Sequence, residues 1–102
     1  MSILSLFKKT SFDESLREAK NCGGSLVDVR TPEEYAQGHI PGARNFPLDS
    51  LPRATLPAGK LFVYCHSGAR SAQAVRFLTN QGRDAVNIGG IIQYHGPIER
   101  GL

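Results

Sequence analysis

The chain has 102 residues, 40% of them hydrophobic and 21% charged, which fits one soluble globular domain spanning 1–102 and leaves no room for a second core. Twelve Lys and Arg residues against nine Asp and Glu residues give a formal net charge of +3 and a pI near 9.1, so we expect small anionic substrates or an acidic partner. No dense basic run alternates with aromatic residues, and no apolar stretch has the length of a membrane span. The sequence therefore argues against nucleic-acid binding and against a membrane protein.

The N-terminal segment predicts a cytoplasmic protein, because the apolar residues 1–7 precede Lys8 and Lys9, whereas a secretory signal carries its charges first. The two cysteines, Cys22 and Cys65, are too few for a disulfide framework and lack the spacing of a zinc site. Cys22 lies beside a diglycine turn and is interpreted as an incidental loop thiol rather than a resolving cysteine.

The predicted elements begin with a short strand over residues 2–7. A first helix follows, because Ser11 and Glu14 have the spacing of a capping box and apolar residues then recur at helical intervals. Gly23 and Gly24 end this helix. The apolar run Ser25–Val29 then predicts a buried strand.

A second helix start is stronger, because Thr31 supplies the cap, Pro32 occupies the first helical position and Glu34 comes third. This helix is short, since Gly38 follows it closely. Residues 43–46 predict another strand. The segment 48–59 is rich in proline and predicts a loop with about one helical turn.

The second half of the chain repeats the alternation of strand and helix. Residues 61–64 predict a buried strand, 71–81 a helix and 84–88 a last strand. We expect Gly89-Gly90 to break that strand and residues 91–94 to form a closing helical turn. Strands that alternate with helices predict a three-layer α/β domain, with a mostly parallel central sheet of about five strands flanked by helices.

Cys65 is the candidate nucleophile, because it lies between a predicted buried strand and a predicted helix. Unpaired amides and the helix dipole create positive potential at such a position, and a thiol there ionises more readily. A lone cysteine at a strand end is more often a small buried hydrophobe. Here Gly68 permits an unusual loop conformation, Arg70 offers a fork of donors and Ser71 follows. This combination favours a reactive Cys65.

Asp28 and Arg30 are candidate supporting residues. In a parallel sheet, ligands bind outside the carboxyl ends of the strands, so these two residues are expected to face the Cys65 loop from a neighbouring strand. Their simplest role is structural, because a carboxylate at a strand end accepts hydrogen bonds from loop amides and pairs with arginine.

Three segments resemble the motifs of the rhodanese-homology domain. The residues 26–35 and 38–43 resemble its first signature, 63–72 its active-site loop and 87–90 its closing strand with a diglycine turn. The resemblance covers a core of about residues 12–95, and the chain has the size of the single-domain members of the family. Members often carry Trp shortly after the diglycine, and Tyr94 stands at that place in this chain, which has no Trp.

The resemblance implies a thiosulfate sulfurtransferase in which Cys65 takes the sulfane sulfur of a small anionic donor and holds it as a persulfide. A thiol, cyanide or a protein acceptor then removes this sulfur. Arg70 would anchor the loop or the sulfonate of the donor, and no metal or organic cofactor is needed. We expect a monomer or a weak dimer. The loop residues that would surround the sulfur are His66, Ser67, Gly68, Ala69 and Arg70, with His66 exposed at the pocket rim.

Two other functions remain as alternatives. A cysteine-dependent phosphatase or arsenate reductase has a similar loop that is one residue longer than the six residues from Cys65 to Arg70, because it must hold a tetrahedral oxyanion. A rhodanese-like binding module is the other alternative, although such modules generally lack the cysteine. A sulfur relay to a partner protein would keep the persulfide and change only the acceptor.

Overall fold

The computed structural model describes residues 11–102 and contains one central sheet with the strand order β2-β1-β3-β4, in which every neighbouring pair is parallel. The strands are β1 (Ser25–Asp28), β2 (Arg44–Asn45), β3 (Leu61–Cys65) and β4 (Ala85–Gly90). The helices are α1 (Phe12–Cys22), α2 (Pro32–Gln37) and α3 (Ala69–Asn80), and 3-10 turns span Leu48–Arg53 and Ile91–Gln93. Within residues 11–102, no helix is long and apolar enough to cross a membrane.

The sheet separates two hydrophobic clusters, because successive side chains of a strand point to opposite faces. On one face, Val63 of β3 packs with Ala74 and Leu78 of α3. On the other face, Tyr64 packs with Phe12 of α1, and their rings meet edge to face. The predicted three-layer α/β class is confirmed. Four strands are described against about five expected, and the strand predicted over residues 2–7 lies outside the described residues.

Both predicted helix starts are confirmed as capping boxes. The Ser11 side chain accepts a hydrogen bond from the amide of Glu14 at 3.1 Å, and Thr31 does the same for Glu34 at 3.1 Å. Each glutamate side chain in turn accepts from the amide of its cap residue. These local contacts place the start of α2 just beyond the carboxyl end of β1.

Two predicted boundaries differ from the structure. The strand predicted over residues 43–46 is only two residues long. Helix α3 begins at Ala69 rather than Ser71, because Gly68 turns the chain with a φ of +107° and its carbonyl already accepts the first helical hydrogen bond, from Ala72 at 3.1 Å. Arg70 therefore belongs to the first turn of α3 and not to a free loop.

The prediction that Gly89 and Gly90 break the last strand was wrong. Strand β4 continues through both glycines after a register shift, so that Tyr64 pairs with Gly89 and Cys65 with Gly90. A Cβ atom on Gly90 would lie 2.2 Å from the His66 carbonyl oxygen. The glycines therefore allow the loop after Cys65 to lie directly against β4.

Candidate active site

Cys65 is the last residue of β3, a strand with a neighbour on each side, and its side chain is buried at the carboxyl end of the sheet. Only three residues separate it from helix α3. The sulfur therefore lies at the turn from strand to helix, where free amides collect.

Several hydrogen-bond donors surround the Cys65 sulfur. The Gly68 amide lies 3.0 Å from Sγ and the Ser71 hydroxyl lies 3.4 Å from it. Burial alone would raise the pKa of the Cys65 thiol, but hydrogen bonds from the Ser71 hydroxyl and from the amides of Ser71, Gly68 and Ser67 outweigh it and lower the pKa. This environment favours a thiolate, the nucleophilic form of cysteine.

Asn87 supports this cradle from β4, a role that the sequence did not reveal. Its side-chain oxygen accepts hydrogen bonds from the Ser71 hydroxyl at 2.7 Å and from the Gly89 amide at 3.0 Å. Its side-chain nitrogen donates to the Gly68 carbonyl at 3.1 Å. Asn87 therefore holds both residues whose donors lie nearest to the Cys65 sulfur. The sequence signal that could have pointed to this role is the position of Asn87, two residues before Gly89-Gly90.

The Ser71 hydroxyl has a single hydrogen and three nearby acceptors, the Asn87 oxygen at 2.7 Å, the Cys65 sulfur at 3.4 Å and the Gly89 carbonyl at 3.5 Å. While Cys65 is a neutral thiol, the hydroxyl can donate to Asn87, the closest acceptor, and accept from the S–H group. When the thiolate forms, the hydroxyl can turn its hydrogen to the sulfur. Ser71 thus serves both protonation states.

Arg70 is bound to Glu34, a partner that sequence reasoning had treated only as a capping residue. The two terminal nitrogens of Arg70 donate to the two carboxylate oxygens of Glu34 at 2.7 and 3.0 Å. The hydrogen bonds from Arg70 are the main reason why the pKa of Glu34 falls to about 2. This pair ties the first turn of α3 to α2.

Asp28 and Arg30 form a buried ion pair at the end of β1. Arg30 donates to the Asp28 carboxylate through its side chain at 2.7 Å and through its backbone amide at 2.9 Å, as expected for a carboxylate at a strand end. The guanidinium also donates to the Gly38 carbonyl at 2.7 Å, and the side chain of Asn45 donates to the carbonyls of both residues. These contacts hold the segment from 28 to 38 in place beside the loop.

An open groove of about 460 Å³ begins beside the loop residue His66, which is exposed. One wall is apolar and comes from Ile91, Tyr94 and Ile98. Tyr94 also packs against Phe12, with ring centroids 6.1 Å apart, so it contributes to the core and to the groove. The groove gives the site both a polar and an apolar border.

The remaining predicted loop residues contribute through their backbones. Ser67 and Ala69 have exposed side chains, while the Ser67 amide belongs to the cradle. Cys22 is the exposed last residue of α1. Among residues 11–102, no group of three or more His, Cys, Asp and Glu side chains is arranged to hold a metal ion.

Together these features define a class of protein: a parallel α/β domain with a cysteine sulfur surrounded by backbone amides at the carboxyl edge of its sheet. Comparison with known proteins gives the family. The model of the rhodanese-like domain matches residues 12–95, and the chain belongs to this family, as the sequence motifs predicted.

Named relatives and solved structures agree with this assignment. A sulfurtransferase of Allochromatium vinosum is 46% identical over 78 residues, which cover 70% of this chain and 73% of that protein. The thiosulfate sulfurtransferase PspE of Escherichia coli is 38% identical over 81 residues, or 74% and 78% of the two chains. The crystal structure of a rhodanese-like domain protein from Staphylococcus aureus has a TM-score of 0.77 at 33% identity, and covers 93% of this chain and 99% of that one.

Proposed function

We propose that this domain is a sulfurtransferase in which Cys65 carries the sulfur as a persulfide. The observation that supports this most directly is the set of donors around Sγ, with the Gly68 amide at 3.0 Å and the Ser71 hydroxyl at 3.4 Å. Such donors stabilise a negative charge on sulfur, whether it is the thiolate or the terminal atom of a persulfide. Thiosulfate is the proposed donor, in line with the name of the PspE relative, a thiosulfate sulfurtransferase.

The proposed reaction has two steps. The Cys65 thiolate attacks the sulfane sulfur of thiosulfate, a new S–S bond forms, and the old S–S bond breaks with its electron pair leaving on sulfite. A thiolate or cyanide then attacks the terminal sulfur of the persulfide, and the electron pair of the Cys65 bond returns to Cys65. The product is a new persulfide or thiocyanate, and the two steps predict ping-pong kinetics.

The phosphatase or arsenate reductase alternative has less support. Arginine binds phosphate best through two parallel hydrogen bonds from its fork of donors. In this site both terminal nitrogens of Arg70 already bind Glu34. An incoming phosphate group would have to displace the carboxylate to use this pair of N–H groups together.

Intact mass spectrometry after incubation with thiosulfate tests the proposal. We expect a gain of about 32 Da, one sulfur atom held on the nucleophile. The gain should persist in Cys22→Ser and vanish in Cys65→Ser, which makes the exposed Cys22 a matched control. Absence of the gain in the wild type, together with Cys65-dependent hydrolysis of an aryl phosphate, would favour the phosphatase alternative.

The apolar wall of the groove favours a protein or peptide thiol as acceptor over cyanide alone. Ile98 belongs to this wall and is 41% exposed. Ile92 follows Ile91 of the wall, is 58% exposed, and its amide donates to the carbonyl of the loop residue His66 at 3.3 Å. Apolar side chains exposed beside a reactive centre are typical of a contact surface for another chain.

A comparison of acceptors tests this second proposal. We expect Ile92→Ser with Ile98→Ser to raise the KM for a cysteine peptide with apolar neighbours, while the KM for cyanide stays unchanged. Leu102→Ser is the control, because Leu102 is 93% exposed and belongs neither to the groove nor to the turn Ile91–Gln93 that contacts His66. An equal rise for both acceptors would contradict a role in docking.

A further inference from the structure

The ion pair between Arg70 and Glu34 limits which anions the guanidinium of Arg70 can bind. The guanidinium fork matches the geometry of an oxyanion, and this makes arginine the usual choice for phosphate or sulfonate. Here the fork meets a carboxylate instead, with N–O distances of 2.7 and 3.0 Å. About one third of each side chain is exposed, so an anion in solution can reach the pair.

Glu34 is fixed in this position from a second side. One of its carboxylate oxygens also accepts hydrogen bonds from the amide of Thr31 at 3.0 Å and from its hydroxyl at 3.2 Å. The carboxylate therefore cannot move away with a departing arginine without losing the cap of α2. The pKa of Glu34, lowered to about 2 chiefly by Arg70, keeps it ionised at neutral pH.

Arg70 nevertheless lies near the nucleophile, because it directly precedes Ser71, whose hydroxyl is 3.4 Å from the Cys65 sulfur. Its hydrogen bonds to Glu34 raise its pKa most, and the negative charges of Cys65 and Asp28 raise it further. If Glu34 did not hold it, this cation would attract oxyanions to the mouth of the cradle.

We propose that Glu34 weakens the binding of tetrahedral oxyanions at Cys65, because it holds Arg70 in place and engages two of the five N–H groups of the guanidinium. Glu34 acts as a positioning residue, since it works through Arg70. The inference rests on the proposed function, because the thiosulfate donor is itself a tetrahedral oxyanion and the pair should weaken its binding as well as that of phosphate. The donors around the Cys65 sulfur, the Gly68 amide and the Ser71 hydroxyl, are not engaged by Glu34.

The test measures how well inorganic phosphate protects Cys65 from alkylation by iodoacetamide. The variants are Glu34→Gln and, as the control, Glu33→Gln, an exposed glutamate in the same turn of α2. Glutamine is accepted in a capping box, so the start of α2 is kept. Cys22→Ser in every variant leaves Cys65 as the only thiol.

We expect the phosphate concentration for half protection to fall about two- to fivefold in Glu34→Gln, the range for a partly exposed charge contact. This concentration should stay unchanged in Glu33→Gln. The fall should be absent when Glu34→Gln is combined with Arg70→Gln. A Glu34 that only supported the fold would loosen the cradle and weaken protection. The proposal would be overturned if the phosphate concentration for half protection rose or stayed unchanged in Glu34→Gln, or if it fell equally in Glu33→Gln. Alkylation needs no turnover, so the result does not depend on whether the sulfurtransferase activity is found.

Discussion

Replacing Ser71 by alanine isolates the hydrogen bond that contributes most to lowering the Cys65 pKa. The substitution removes a hydroxyl that lies 3.4 Å from the sulfur and leaves the cradle amides in place. The Asn87 oxygen keeps a partner, because the Gly89 amide still donates to it at 3.0 Å. We therefore expect Ser71→Ala to fold and to show a change at the sulfur.

The magnitude follows from the two partners of the hydroxyl. A hydrogen bond to a charged group contributes about 1.5–3 kcal/mol, and the neutral bond to Asn87 that Ser71 gives up when the thiolate forms is worth about 0.5–1.5 kcal/mol. The difference is about 1 kcal/mol in favour of the thiolate. Since about 1.4 kcal/mol corresponds to tenfold in an equilibrium, the thiolate population below the pKa should fall about fivefold.

The assay is the rate of iodoacetamide alkylation as a function of pH, in a Cys22→Ser background. For Ser71→Ala we expect a rate about fivefold lower at neutral pH and a profile displaced to higher pH. Ser67→Ala is the matched control, because Ser67 contributes to the cradle through its amide, which alanine retains. An unchanged profile for Ser71→Ala, or an equal displacement in the control, would refute the role of the hydroxyl.

Three further predictions concern the supports of the site. Asn87→Asp should slow Cys65 alkylation, because it places a carboxylate near the sulfur and removes the donor to Gly68, whereas Asn80→Asp at the end of α3 should not. Asp28→Asn should lower the free energy of unfolding in urea by about 3–5 kcal/mol, since it leaves a buried arginine without its charge partner; a loss below about 1 kcal/mol would contradict this. The pair of Glu34 and Arg70 should stabilise the fold above pH 4.5, the ordinary value of the glutamate, and lose that contribution as the pH falls towards about 2. Urea unfolding of wild type and Glu34→Gln should therefore differ at pH 6 and converge at pH 2.

Local sequence signals were sufficient to predict the fold class and most of its helices and strands. The capping residues Ser11 and Thr31 marked two helix starts, and the apolar run 61–64 marked the strand that carries Cys65. Each of these signals depends on neighbours within about four positions. The prediction at Gly89 and Gly90 failed because Gly90 lies against His66 and Gly89 against Gly68, and both of these neighbours are distant in sequence.

The candidate site was only partly predictable for the same reason. The cysteine and its loop are one continuous segment, so a motif could reveal them. Glu34 and Asn87 reach that segment from 36 and 19 positions away, to bind Arg70 and Gly68 respectively. Such contacts exist only after the sheet has brought the two segments together, and a capping glutamate looks the same with or without a distant arginine.

The place of Asn87 on β4 has a consequence for the chain during its synthesis. β4 is the last strand along the chain, and the cradle is braced only after Asn87 has paired beside Val63. Until then Cys65 is an ordinary thiol in an incomplete chain, with few thiolates at neutral pH. The hydrogen bonds that lower the pKa of Cys65 are therefore complete only when β4 has joined the sheet.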